Sequence, residues 1–410
     1  MKILLVTPRF YPEPFTITRI AEELASKGHD ITVLTGRPNY GKWSIYPGYE
    51  NVREEDHNGI HIIRVKERIR KKGVVGLTRN YASIYSLYQK ALKKMSGDYD
   101  IVFSHVMSPI FVMNGISRFC EKYHIPHFHY GFDLWPESLV AAGYFKRNSP
   151  VFKYVKKMSI ANYSGCDQIA FASPSAEKYF TDYLKIKVNF KHIYQPCLTT
   201  MPDISFVSNH AYIPDGKIHV LFCGTIAQFN HLDLMIEALD SDVFKANVIF
   251  DIVGSGSDKE RIEKIVKEKS LEDVVVFHGR VAPEETKNFY KKADILFVPL
   301  YYNSATSLMI PQKLIEYFMY SRPIFGMIKG DGADLLKKAS DLNVVSDQTI
   351  ESLRDNLKKI IEMPTEELQK CGSDNRHFIE TYDCFSLKTI CDDIEKCLID
   401  LVEKTRNNRL

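Results

Sequence analysis

Apolar residues fall in short unbroken runs, separated by stretches that are apolar on one face only. Residues 2–7 (Lys-Ile-Leu-Leu-Val-Thr) form such a run and predict a buried strand. A Pro-rich loop from Pro8 to Pro14 follows, then a predicted helix with Ile20, Leu24 and Ala25 on one face. Gly28-His29-Asp30 breaks that helix and 31–34 is the next strand, so a βαβ unit and a parallel sheet are expected. Further strands are predicted at 60–65, 99–103, 125–130 and 168–172.

The pattern restarts after Asp203. Strands are predicted at 217–222, 248–253, 274–278, 295–299 and 324–326, and helices at 232–239, 258–269, 284–293 and 311–320. Two consecutive doubly wound α/β halves follow from this alternation, joined near 200–216 by a polar, Pro-containing segment. The expected division is 1–205 and 206–384; the last helices, from about 366 to 401, can pack in either half, and the C-terminal one, about 385–410, is a candidate to pack back on the first. Two such domains facing a central cleft present strand C-termini and helix N-termini to a ligand.

Composition narrows the class. A chain of 410 residues is too long for one ordinary core. An apolar content of 45% and a charged content of 26% are those of a globular protein. The net charge of +3 excludes a globally basic nucleic-acid binder. Eight cysteines are scattered without a C-x-x-C pair, so neither a zinc site nor a disulfide framework is expected. No apolar run approaches the ~20 residues of a membrane span, and the N-terminal run is too short for a signal peptide. A cytoplasmic location is expected.

The stretch from Pro311 to Met319 carries the most chemistry. Lys313 and Glu316 are three apart and share one helical face. Pro311 suits a first turn, whose free N–H groups beside a lysine favour a phosphate. A carboxylate one turn on accepts two hydroxyl hydrogen bonds, as a ribose offers. A nucleotide diphosphate fits this turn; an amphipathic surface helix is the alternative.

Several pieces in order resemble the nucleotide-sugar domain of retaining glycosyltransferases of family 4, with the GT-B fold. They are Phe222-Cys223-Gly224-Thr225, Val253-Gly254-Ser255-Gly256, Phe277-His278-Gly279-Arg280-Val281, residues 293–299 and residues 311–317. The first half is similar to a bacterial branch of fucosamine or colanic-acid transferases. Its marks are Phe10-Tyr11-Pro12-Glu13-Pro14, Gly28-His29-Asp30, residues 35–40, residues 45–49 and Asp133-Leu134-Trp135-Pro136-Glu137-Ser138.

The resemblance implies transfer of a hexosyl or N-acetylhexosaminyl group from a nucleotide diphosphate, expected to be UDP, to an acceptor hydroxyl. Configuration is retained and neither metal nor other cofactor takes part. Glu316 matches the second glutamate of the family's E-x7-E motif, the one expected on the ribose. The first glutamate falls at Leu308, and the usual Arg and Lys on the diphosphate fall at Thr225 and Asn230, all uncharged. Lys313 is then the nearest cation, helped by backbone N–H groups of Thr306, Ser307 and Leu308. Gly224 and Gly254 belong to the donor turns, and the main chain after Gly279-Arg280 points Val281 at the base, with Arg280 either at the donor or at the surface.

In the first half the resemblance places Asp133 in the active-site loop, on an acceptor or donor hydroxyl. Trp135 is expected to stack on a sugar face or to lie in the core. His129 is expected to donate to a sugar hydroxyl, the alternative being two satisfied histidines, His127 and His129, under a loop. Thr16, Thr18 and Arg19 stand where the family has its first glycine-rich turn.

A basic run, including Arg68, Arg70, Lys71 and Lys72, precedes a helical stripe that includes Tyr81, Tyr85 and Tyr88. This combination suits an anionic membrane surface, at about 1 kcal/mol per near-surface cation; a solvated loop and a core stripe are the alternative. The sum is a glycosyltransferase peripheral at the inner face of the cytoplasmic membrane. Its expected partners are a nucleotide sugar and a lipid-linked or saccharide acceptor in capsule, O-antigen or exopolysaccharide synthesis. The competing readings are an epimerase or hydrolase on the same fold and a non-catalytic nucleotide-sugar-binding subunit.

Overall fold

A computed structural model describes residues 1–40, 44–71, 73–141, 143, 145–197, 215–302 and 306–408. Two compact units make up the chain; Cys384–Leu410 belongs with the N-terminal unit, and the other ends at Asp383. The boundary expected at 205/206 lies outside the described residues.

Among the described residues the first unit has eight strands: β1 (Lys2–Val6), β2 (Asp30–Thr35), β3 (Glu54–His57), β4 (Ile60–Arg64), β5 (Ile101–Ser104), β6 (His127–Gly131), β7 (Gln168–Phe171) and β8 (Phe190–His192). Their order is β3-β4-β2-β1-β5-β6-β7-β8, and only the β3–β4 pair is antiparallel. β1 is central because it is apolar on both faces; Leu4 pairs with Thr32 on one side and Val102 on the other. The helix Leu387–Asn407 places Ile390, Ile394, Leu398 and Leu401 at helical spacing into this unit's core. Lys27 closes on Asp392 and Glu395 of that helix.

The second unit has β9 (Ile218–Cys223), β10 (Val248–Val253), β11 (Val275–Gly279), β12 (Ile295–Pro299), β13 (Ile324–Met327) and β14 (Val344–Val345). All pairs are parallel, in the order β11-β10-β9-β12-β13-β14. Both units are Rossmann-like. The strands absent from the apolar pattern, β3, β8 and β14, are sheet edges whose sequences are polar or short, so they lack the buried-run signal.

The helix Gly73–Lys94 corrects the membrane reading of its aromatic stripe. Leu77, Ile84, Tyr88 and Leu92 are buried in the first unit. The Tyr88 hydroxyl donates to the Thr7 carbonyl at 3.2 Å, and Tyr81 shares a 2.6 Å hydrogen bond with Ser108. Tyr85 is half-buried. Most of this stripe is therefore committed to packing, while Val75 at the start of the helix is exposed. Arg68 and Lys71 are exposed and Arg70 is half-buried, while Lys72 lies outside the described residues.

Candidate active site

In the second unit, consecutive crossovers run in opposite directions from the central pair β9 and β12, so the loops leaving their C-terminal ends diverge. Such a switch point is where open α/β sheets hold ligands. After β9 the chain turns at Gly224; after β12 come a short 3-10 turn at Thr306–Leu308 and the helix Gln312–Phe318. A hydrogen bond of 2.7 Å from the Tyr301 N–H to the Phe229 carbonyl ties the two loops together.

Glycine is required at the turn. Gly224 has φ 156°, and a Cβ there would stand 2.3 Å from Lys313 Nζ. Gly254, at the end of β10, has φ 141°, and its Cβ would fall 1.8 Å from the Gly224 carbonyl oxygen. The two strand ends thus meet backbone to backbone, with the Gly224 N–H donating to Val253 at 2.8 Å. The missing side chains leave the Lys313 ammonium lying directly over the turn.

Lys313 is half-buried, with its Nζ 4.0 Å from the Phe222 ring centroid. Burial lowers its pKa from 10.5 to about 8. Glu316, one turn on, is half-buried as well, and burial raises its pKa from 4.5 to about 7. The two do not form an ion pair with each other or with any other described residue, and Glu316 Oε1 is buried without a hydrogen-bond partner. Two desolvated charges of opposite sign and a backbone cradle are what a ligand with a phosphate end and a hydroxyl end would satisfy.

The helix itself is shorter than expected. It has seven residues, and Pro311 is its extended N-cap (ψ 130°) rather than part of its first turn. Less than two turns of aligned peptides make a weak dipole, so positive charge here rests chiefly on the Lys313 side chain. Tyr317 is buried, and its hydroxyl accepts from the Cys223 N–H at 3.1 Å and fixes the helix to the end of β9.

Other expected donor residues are placed differently. Asn230 is buried and its Nδ2 donates to the Thr225 carbonyl at 2.6 Å, so it braces the loop instead of facing a ligand; the Thr225 side chain is exposed. Thr306 is buried, Ser307 and Leu308 are half-buried. Arg280 is exposed and Val281 half-buried, next to the 2.7 Å bond from Gly254 N–H to the Gly279 carbonyl.

In the first unit, Asp133 follows β6. It is half-buried, no described residue hydrogen-bonds its carboxylate, and burial raises its pKa from 3.8 to about 6. The roles expected for its neighbours do not fit. Trp135 is 1% exposed and its Nε1 donates to the Met107 carbonyl at 2.6 Å, so no sugar can stack on it. His129 is likewise 1% exposed; Ser104 Oγ bridges its Nδ1 at 2.9 Å and His127 Nε2 at 2.8 Å. Desolvation holds both histidines neutral. They are satisfied core residues. Thr16 and Thr18 are buried in the helix Thr16–Ser26, and Arg19 donates to the Cys197 carbonyl at 3.0 Å.

Known proteins supply the context. Residues 15–195 match the family Glycosyltransferase Family 4, and residues 205–378 match Glycosyl transferases group 1. The chain is a GT-B glycosyltransferase. It is 22% identical over 306 residues to a provisionally named colanic acid biosynthesis glycosyl transferase of Escherichia coli K12, covering 68% of this chain and 71% of that one. Among solved structures, sucrose-phosphate synthase from Thermosynechococcus elongatus superposes with a TM-score of 0.76 at 16% identity, over 98% and 99% of the two chains. The Anabaena protein HepE, solved with UDP and glucose, gives 0.68 at 13% identity over 98% and 100%. For this glycosyltransferase, no described helix is long and apolar enough to cross a membrane.

Proposed function

We propose that this glycosyltransferase moves a hexosyl or N-acetylhexosaminyl group from a UDP-sugar, with retained configuration, to a hydroxyl of a polyprenyl-diphosphate-linked acceptor. The reaction belongs to assembly of a bacterial surface polysaccharide (capsule, O-antigen or exopolysaccharide) at the inner face of the cytoplasmic membrane. The observation that carries this reading is the unpaired Lys313 and Glu316 over the Gly224 turn. Glu316 accepts the ribose hydroxyls. Lys313 and backbone N–H groups near Thr306 hold the diphosphate, which makes it a better leaving group without a metal. In the first unit Asp133, unpaired and shifted toward neutrality, orients the acceptor hydroxyl. The E. coli relative's name supports the pathway, and the UDP-bound neighbour supports the donor. With Tyr88 buried and Tyr81 and Tyr85 half-buried, the membrane contact is chiefly electrostatic, through the exposed Arg68 and Lys71.

The test is incubation with a panel of UDP-, GDP- and ADP-sugars and a short polyprenyl-diphosphate-linked saccharide, the product anomer being read by NMR. Transfer from a UDP-sugar with the donor's configuration is expected. An inverted product, or epimer formation without acceptor, overturns the reading; so does donor binding with no transfer to any lipid-linked acceptor.

Donor binding is also expected to exchange protons in a direction that changes with pH. Ribose hydroxyls favour the charged Glu316, so UDP binding near pH 7 releases protons. Phosphate favours charged Lys313, so binding near pH 8.5 takes them up. Calorimetry in buffers of different ionisation enthalpy reads both. A net exchange of the same sign at both pH values would remove one of the two groups from the site.

A further inference from the structure

In the first unit a cavity of about 280 Å³ opens at the C-terminal ends of β2 and β4. Arg37, Arg53, Arg64 and Lys66 line it, against one acid, Glu50. Arg64 is accounted for: its Nε donates to Glu55 at 2.6 Å and its Nη1 to the Gly36 carbonyl at 2.9 Å. Arg37 is not. It is 8% exposed, yet no described carboxylate lies within ion-pair distance of its guanidinium. Its Nη1 and Nη2 donate only to carbonyls, of Glu50 at 3.2 Å and Glu67 at 2.7 Å, and its Nε is buried with no partner. The nearby Glu67 carboxyl is occupied by the Arg37 backbone N–H and Asn39 Nδ2, and burial pushes its pKa up. Arg53 and Lys66 are exposed and pair with no described residue.

A buried cation with no carboxylate in ion-pair contact is costly, by several kcal/mol per ion in real proteins. Here it stands beside two exposed cations at the same cavity of about 280 Å³. Guanidinium groups match phosphate oxygens in two-point geometry. The donor's diphosphate already has its place in the second unit, at Lys313. We propose that this cavity binds the diphosphate group of the acceptor; this rests on the reading of the acceptor as a lipid-linked diphosphate. Arg37 is the buried anchor, and Arg53 and Lys66 close on the outer phosphate.

The test uses the full chain with UDP at saturation, so that the donor site is filled. Calorimetry measures geranyl diphosphate and inorganic diphosphate against wild type and the double variant Arg53→Glu/Lys66→Glu, whose positions are exposed and whose fold is checked by melting. Wild type is expected to bind both, and the variant at least tenfold more weakly, with UDP affinity unchanged. In the transfer assay KM for the lipid-linked acceptor rises at least tenfold while kcat stays within about twofold. No binding by wild type, or equal binding by both proteins, overturns the proposal. Weakened diphosphate binding with an unchanged acceptor KM would mean that the cavity serves a free anion, and the acceptor assignment falls. If wild type binds geranyl diphosphate but transfers to no lipid-linked acceptor, the functional reading fails and the anion site stands. Transfer unaffected by the double variant, with diphosphate bound as tightly as by wild type, sinks the site and leaves the functional reading intact.

Discussion

Replacing Glu316 by alanine is expected to raise the UDP dissociation constant by roughly 30- to 1,000-fold, about 2–4 kcal/mol. That is the range for losing hydrogen bonds to a charged acceptor in a partly buried site. Titration calorimetry at pH 8 reads it, and an unchanged constant removes Glu316 from the site. The isosteric Glu316→Gln adds a signature that a structural role would not produce. In the free protein the folded-state pKa, about 7, lies above the unfolded value of 4.5. The folded state then binds more protons than the unfolded one between these values, so stability falls as pH rises from 4.5 to 7 and the deficit is complete above 7. Glutamine carries no such deficit. At pH 8 the ligand-free variant should be more stable than wild type by about 1–2 kcal/mol, a figure reduced for the residue's partial exposure. At pH 4, where both side chains are neutral, the two should melt alike. Weaker donor binding together with higher apo stability at pH 8 identifies a residue whose burial serves a ligand.

Gly254→Ala should be the most damaging single methyl in the second unit. Its Cβ would fall 1.8 Å from a backbone oxygen that cannot rotate away, at a φ of 141° that side-chain-bearing residues rarely adopt. Separating β10 from the Gly224 turn is expected to cost more than about 3 kcal/mol. For a unit of this size that lowers the melting temperature by roughly 6–12 °C. UDP affinity should fall with it, because the cradle under Lys313 is displaced. Gly28→Ala is the control: φ is 88°, but nothing lies within 4 Å of the added methyl, so only the left-handed backbone penalty remains, about 1 kcal/mol. A Gly254→Ala protein that melts within a degree of wild type would show that the strand ends can part freely.

The central strands and the Lys313–Glu316 helix were legible because each is a local pattern. β1, β9 and β12 are runs buried on both faces, and a spacing of three sets a shared helical face whatever the rest of the chain does. Edge strands such as β3 were not legible, since Glu-Glu-Asp-His carries no burial signal and pairs only because β4 supplies the ladder. Trp135, His129 and Tyr88 carry the residue types of a binding site but sit in the core. Burial depends on what packs above them, and local sequence does not hold that information. Asn230 is a similar case, because its partner is a carbonyl created by the turn it closes.

By itself, the sequence determined two α/β units and one helix with a cation and an acid on the same face. Hydrophobic periodicity and helical spacing are properties of neighbouring residues. Only the tertiary structure decided that Lys313 lies over Gly224, that Glu316 Oε1 is buried without a hydrogen-bond partner, and that Arg37 is buried with no carboxylate in ion-pair contact. Each of these depends on groups brought together from separate strand ends, and the cost of desolvating a charge is set by those distant neighbours.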